Sequence, residues 1–258
     1  MKKCLHLLTC FTLGFILGCS DDPNAPDGQK GTLRVFLTDA PAGFDAVNVT
    51  FTEVSAHIDN QWVILSNQTQ TVNLLEWNNG KTLLLGQAEV EAGRYTQIRL
   101  KISDAQVVLA GQAFPMAVPS GAQSGLKLLA NFDVAVGSTY DVVLDFDAER
   151  SVVITGPRLQ PNGFTLKPTI RVMAMALTGS IAGTVTNPGD APIAYAIVNA
   201  DTITSSLVDG TTGFFRLAFL PPSSYTVSVM DTTGKSSLQT NVPVTAGQEY
   251  SLGQITLQ

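Results

Sequence analysis

Asp141, Asp145 and Asp147 occupy the odd positions of one alternating segment, and Asp133 sits on the segment before it. The turn Gly137-Ser138 between them predicts a hairpin that brings all four to one face. Same-face carboxylates repel unless they are paired, screened or bound to a cation. Hard oxygen ligands at this spacing suit Ca²⁺. The EF-hand pattern is not met, because Arg150 stands where its Gly belongs and no Glu closes the loop. Pairing with Lys127, Arg150, Lys167 or Arg171, or plain solvation, accounts for the same acids and is the favoured reading. Two-carboxylate glycoside chemistry needs acids across a cleft, which one strand does not provide.

Nucleophilic chemistry would need His57, which lies on an alternating strand, with Ser120 or Ser124 as the nucleophile. The segment Pro119 to Gly125 reads more simply as a Gly-rich loop. A zinc site built on His and Cys needs several ligands, and this chain has too few outside its first residues. HExxH and GxSxG are absent. Trp62 follows an Asp59-Asn60 turn and Trp77 precedes Asn78-Asn79-Gly80. Each is a candidate platform for a sugar or peptide, or a plug at the end of a core. No catalytic residue is assigned and no cofactor is expected, with Ca²⁺ on the acidic strand as the one candidate.

The elements that position these residues begin with an address. Lys2 and Lys3 precede an apolar run from Leu5 to Leu17, too short to span a bilayer and shaped like a secretory signal. It ends Ile16-Leu17-Gly18-Cys19, which resembles the lipobox of bacterial lipoproteins. The resemblance implies cleavage after Gly18 and acylation of Cys19. Of three cysteines, Cys4 and Cys10 leave with the signal, so the mature chain has no internal disulfide. Ser20 to Lys30 carries Pro, Gly and Asp without an apolar run and reads as a tether reaching about 36–40 Å. By resemblance, Ser20 after the acceptor Cys favours the outer membrane, and the following acids look like surface-export signals.

Loss of Lys2 and Lys3 lowers the basic residues from 15 to 13 against 21 acids, so the net charge moves from -6 to -8. An acidic chain does not track nucleic-acid phosphates. Apolar residues are 45% and charged residues 14% of the chain, which excludes disorder driven by charge. No later segment has the roughly 20 apolar residues of a spanning helix.

Period-two alternation dominates from residue 31 onward. Leu33, Val35 and Leu37 share a face, as do Val47, Val49 and Phe51. The phase then shifts to Val54, Ala56 and Ile58, which predicts a bulge near Thr52–Glu53. Leu126 to Val136 alternates on even numbers, and Tyr140 to Phe146 repeats this. Phe164, Leu166, Ile170 and Val172 supply a further strand. The fold class is all-β, with two sandwich modules in tandem.

Several ordered landmarks mark the first module. They include Leu37-Thr38-Asp39-Ala40-Pro41, Gly93-Arg94-Tyr95-Thr96-Gln97-Ile98, Leu144-Asp145-Phe146-Asp147-Ala148 and Leu166-Lys167-Pro168-Thr169-Ile170. Together they resemble the DUF4382 domain of bacterial exported lipoproteins, a resemblance that implies no established activity. Gly179 to Thr186, Asp209-Gly210-Thr211-Thr212-Gly213-Phe214 and Leu220-Pro221-Pro222-Ser223-Ser224-Tyr225 resemble the carboxypeptidase regulatory-like domain, a small transthyretin-like sandwich of about seven strands. Ser224 stands where that family often has Gly.

The expected organisation is signal peptide 1–18, lipidated Cys19 and tether to 30, first module 31–177 and second module 178–258. The short apolar joint, Met175 to Gly179, predicts limited independent motion. The expected role is non-catalytic binding or scaffolding at the outer membrane or cell surface, held by lipid on Cys19, with an envelope protein or glycan as partner. The alternatives are a carbohydrate-binding accessory lipoprotein and a hydrolase of unrecognised type.

Overall fold

The computed structural model describes residues 29–118, 124–156 and 163–258. Cys19, the tether up to residue 28 and Ser120 lie outside them. The first module contains β1 (Lys30–Ala40), β2 (Ala46–Ile58), β3 (Gln61–Ser66), β4 (Gln70–Asn73), β5 (Leu83–Glu91) and β6 (Gly93–Leu109). It continues through β7 (Gln112–Ala117), β8 (Leu126–Val134), β9 (Thr139–Asp147), β10 (Val152–Thr155), β11 (Gly163–Leu166) and β12 (Ile170–Ala174). One sheet has the order β12-β9-β1-β5. The other runs β10-β11-β7-β6-β2-β3, with β4 added to β2 and β8 to β6.

The layers follow from the alternation. Leu33, Val35 and Leu37 of β1 are wholly buried, and Val47, Val49, Ile98 and Leu100 from the other sheet pack into the same core. The β2–β6 ladder breaks around Phe51, where the phase of the sequence shifts. The extra residue keeps apolar side chains inward on both halves of β2.

Two expectations are corrected. β8 and β9 do not form a hairpin: β8 pairs with β6, whereas β9 lies between β12 and β1 in the other sheet. Their even-numbered faces are both apolar and meet across the sandwich instead of edge to edge. Phe132 of β8 stacks on Tyr140 of β9 at 4.7 Å and on Tyr95 of β6 at 5.5 Å. The segment from Phe164 to Val172 is also not one strand. Pro168 interrupts it, and β11 and β12 belong to different sheets.

The second module contains β13 (Gly179–Val185), β14 (Ile193–Val198), β15 (Asp201–Leu207), β16 (Phe214–Leu220), β17 (Ser223–Met230), β18 (Ser236–Val244) and β19 (Glu249–Ile255). Its sheets are β16-β13-β19 and β15-β14-β17-β18, closed over a separate core that includes Phe215, Leu217, Tyr225 and Val227. Gly213 has φ +72°, and a Cβ there would stand 2.0 Å from the Val185 carbonyl oxygen, so the turn before β16 excludes any side chain. Ser224 is accommodated within β17 because the left-handed residue of this corner is Phe219, at φ +54°. The modules share one corner device. Tyr95 donates to the Glu91 carbonyl at 2.9 Å, and Tyr225 donates to the Pro221 carbonyl at 2.8 Å, each four residues upstream.

Candidate functional site

Of the four acids predicted on one face, Asp141, Asp145 and Asp147 lie on β9, whereas Asp133 is on β8 in the other sheet. Asp133 lies on β8, where it pairs in register with Arg94. Asp141 makes a bidentate pair with Arg34, at 2.7 and 2.6 Å. Asp145 pairs with Arg171. Asp147 accepts the Arg150 backbone N–H at 2.9 Å and lies 3.3 Å from its Nε, capping the helical turn Ala148–Ser151. Among the described residues no group of three His, Cys, Asp or Glu is placed to hold a metal ion.

One carboxyl escaped the sequence reading. Asp39 is 4% exposed, beside Phe146 in the β1–β9 register. Its Oδ1 accepts the Ala148 N–H at 3.0 Å, and its Oδ2 has no hydrogen-bond partner among the described residues. Burial pushes this acid well above the usual carboxylate range, and Asp145 and Asp147 push it further, while the Ala148 and Ala40 amides draw it back. Burial likewise raises Asp145, Arg171 draws it back, Asp147 adds to the rise, and the net shift is upward. Asp39 is therefore neutral in the folded chain over a range where the unfolded chain has released its proton. Stability from this group is complete below about pH 4 and is lost as pH rises toward the folded value. Asp39→Asn keeps the shape and removes the ionisation. It is expected to raise Tm by about 2–4 °C near pH 8, the change that ~1 kcal/mol gives in a chain of this size, with no gain near pH 4. Thermal melts of both proteins across that range test this. An Asn variant that melts lower throughout contradicts it.

Among the described residues His57 makes no catalytic pairing. Its Nδ1 lies 2.8 Å from the Thr96 hydroxyl, and its ring packs 5.0 Å from Trp62. Trp62 is outside the core cluster, on the outer face of the larger sheet, but it is not a bare platform. The Arg99 guanidinium covers it at 4.2 Å from the ring centroid and the Lys127 ammonium stands at 5.9 Å. Arg99 is fixed in turn by Glu53 at 2.8 Å, which also holds Lys101 at 2.7 Å. Arg99 runs against Gly125, next to Ser124. Trp77 packs on the first core, and its carbonyl accepts from Thr38.

The loop after Trp77 makes side-chain hydrogen bonds across the two modules. Thr38 of β1 is buried, and its hydroxyl lies 2.9 Å from both the Trp77 and Lys81 carbonyl oxygens, holding both ends of the loop. The tip residue Asn79 is left-handed, at φ +60°. Its Oδ1 accepts the Arg216 backbone N–H at 2.5 Å and the buried Ser206 hydroxyl at 3.1 Å. These donors lie on β16 and β15, the edge strands of the two sheets of the second module. Gly80 follows at φ +79°, where a Cβ would meet the Arg216 side chain at 2.7 Å. Arg216 continues to Glu249 at 2.6 Å. Beside this lock, Pro41, Glu149 and Arg150 of the first module face Ile193, Tyr195 and Leu207 of the second across a cleft of about 430 Å³.

These features define a tandem β-sandwich protein whose modules are joined by hydrogen bonds to the loop after Trp77. The chain belongs to the DUF4382 family, a domain of unknown function, whose family model matches residues 30–168. Residues 180–258 match the carboxypeptidase regulatory-like domain. No curated protein matches the chain. Among solved structures, the TIE protein of Bacillus anthracis aligns at 10% identity over 89% of this chain and 51% of that one, with a TM-score of 0.25. BcpA, the major pilin subunit of Bacillus cereus, aligns at 11% identity over 89% and 70%, with a TM-score of 0.21. The fimbrial anchor protein Mfa2 of Porphyromonas gingivalis aligns at 11% identity over 81% and 82%, with a TM-score of 0.21. The chain spans about half the length of the first of these. The alignments are too distant to bear on function.

Proposed function

We propose that the chain is a lipid-anchored, non-catalytic lipoprotein of the bacterial envelope that binds or scaffolds at the outer membrane or cell surface. The observation that carries this reading is the polarity of β1. The tether joins at Lys30, whereas Ala40, at the other end of the strand, lies at the cleft facing the second module. Eleven extended residues separate these ends by about 35 Å. A lipid on Cys19 would hold the first module near the membrane by one end and leave the second module at the other, where the lock at Asn79 keeps it in place. The charged residues support the same reading, since Arg34, Glu53, Arg99 and Arg171 are engaged in pairs within and between strands.

The competing hydrolase reading depends on His57. Purified protein offered ester, peptide and glycoside substrates is expected to turn over none of them, with His57→Ala indistinguishable from the parent. Turnover that disappears in His57→Ala would overturn the non-catalytic reading. The glycan reading gains no support from Trp62 or Trp77, whose rings are occupied by Arg99 and by the core.

A further inference from the structure

The residue that ties the modules together is also chemically fragile. Asn79 is followed by Gly80. In such a pair the Gly backbone nitrogen can attack the Asn Cγ, because no side chain shields it. The new N–C bond closes a succinimide ring. The Asn amide nitrogen takes up the proton that the Gly nitrogen loses and leaves as ammonia. Water then opens the ring at either carbonyl carbon. One opening gives Asp and the other gives isoaspartate, in which the backbone runs through Cβ and Cγ. Water is the only co-reactant.

The fold both requires this pair and restrains it. Gly80 has φ +79°, and a Cβ there would meet the Arg216 side chain at 2.7 Å. Position 80 thus excludes the side chains that would slow the attack. Asn79 is left-handed at φ +60°, a conformation that Asn tolerates better than most residues. Its Oδ1 is held by the Arg216 N–H at 2.5 Å and by the buried Ser206 hydroxyl at 3.1 Å, both on the second module. The amide cannot turn back onto the Gly80 nitrogen without giving up both donors. The loop also has little slack. The Thr38 hydroxyl holds the Trp77 and Lys81 carbonyls, and the Lys81 N–H closes on the Asn78 carbonyl at 3.1 Å. Isoaspartate would add an extra backbone carbon to a tip pinned at both ends, and so displace the acceptor from its two donors.

We propose that Asn79-Gly80 is a self-modification site that the closed joint holds off. When the modules part, Asn79 converts through the succinimide to isoaspartate, and the joint no longer closes. The Asp product keeps an acceptor oxygen in place and relocks. The modification thereby makes an opening of the joint permanent. It belongs to the joint alone and does not depend on acylation of Cys19. The chain's other Asn-Gly pair begins at Asn162, outside the described residues.

The test ages the mature chain carrying Cys19→Ser in mildly alkaline buffer, folded and in urea, and follows the Asn79 peptide by mass spectrometry. Labelling with an isoaspartyl methyltransferase separates isoaspartate from Asp. Conversion at Asn79 should be at least ~10-fold slower in the folded chain, since the amide must leave two hydrogen bonds to react. Ser206→Ala, which removes one donor, should fall between the two. Equal rates would overturn the proposal. So would faster conversion in the folded chain, which would mean that the donors polarise the amide instead of restraining it. Prolonged ageing of the folded parent, until part of it has converted, tests the consequence. Limited proteolysis between Met175 and Gly179 should then cut the molecules that carry isoaspartate at 79 and spare those with Asn or Asp. Isoaspartate spread evenly between cut and uncut chains would also overturn the proposal.

Discussion

Exported behind a conventional signal peptide in place of residues 1–18, the mature chain carrying Cys19→Ser is expected to move almost completely from the membrane pellet to the soluble fraction. The exchange removes the acyl acceptor and leaves no apolar run from Leu5 to Leu17 behind. Each buried methylene of an acyl chain contributes ~0.8 kcal/mol, and stable anchoring takes more than one chain. Little else in the chain would compensate. Among the described residues no helix is long and apolar enough to cross a membrane. The net charge of -6 opposes adsorption to anionic lipid. The soluble variant should melt like the parent, since residue 19 precedes the first strand by eleven positions. Fractionation followed by immunoblotting reads the result, and a variant that stays in the pellet after a carbonate wash contradicts the anchor.

Asn79→Ala is expected to release the second module from the first. The substitution strips one acceptor from two donors, the Arg216 N–H and the buried Ser206 hydroxyl. Each stranded donor costs about 1–3 kcal/mol, so the joint should lose about 2–6 kcal/mol. Ala also tolerates the left-handed backbone of this tip poorly. Asn79→Gly separates the two effects, because Gly accepts φ +60° yet supplies no acceptor. Both variants should become sensitive to protease between Met175 and Gly179, yielding two fragments that remain folded, while the parent resists. Asn79→Asp retains an acceptor oxygen and should resist like the parent. Equal cleavage of the parent and Asn79→Gly would show that the loop does not hold the modules together.

The sequence made the strands legible because alternation is local. The phase shift between Phe51 and Val54 located a real break in the β2–β6 ladder. The seven strands of the second module agree with what its family resemblance implies, and the turn at Gly213 is left-handed as a glycine before a strand suggests. Partnership was not. Tyr140 to Phe146 was assigned to a hairpin because its neighbour in sequence had a matching face. Its actual neighbours, β1 and β12, come from about a hundred residues before it and from beyond Pro168. Asp145 is buried and lines a small cavity together with Thr202 to Ser205 of the other module, an arrangement that no local pattern shows. Its partner Arg171 is among the cations the sequence offers, whereas a parallel pairing across a hundred residues leaves no local trace of Arg34, the partner of Asp141. Asn79 read as a turn residue near a Trp, and only the packed joint gives it a role.

The central claim is that this chain acts by holding another envelope component and not by transforming one. Crosslinking of the acylated protein in intact cells, read by mass spectrometry, tests it most directly. The account predicts a reproducible, near-stoichiometric envelope partner, with crosslinks concentrated on the second module. Recovery of the chain with no bound component, or with crosslinks spread at random over many unrelated proteins, would contradict it.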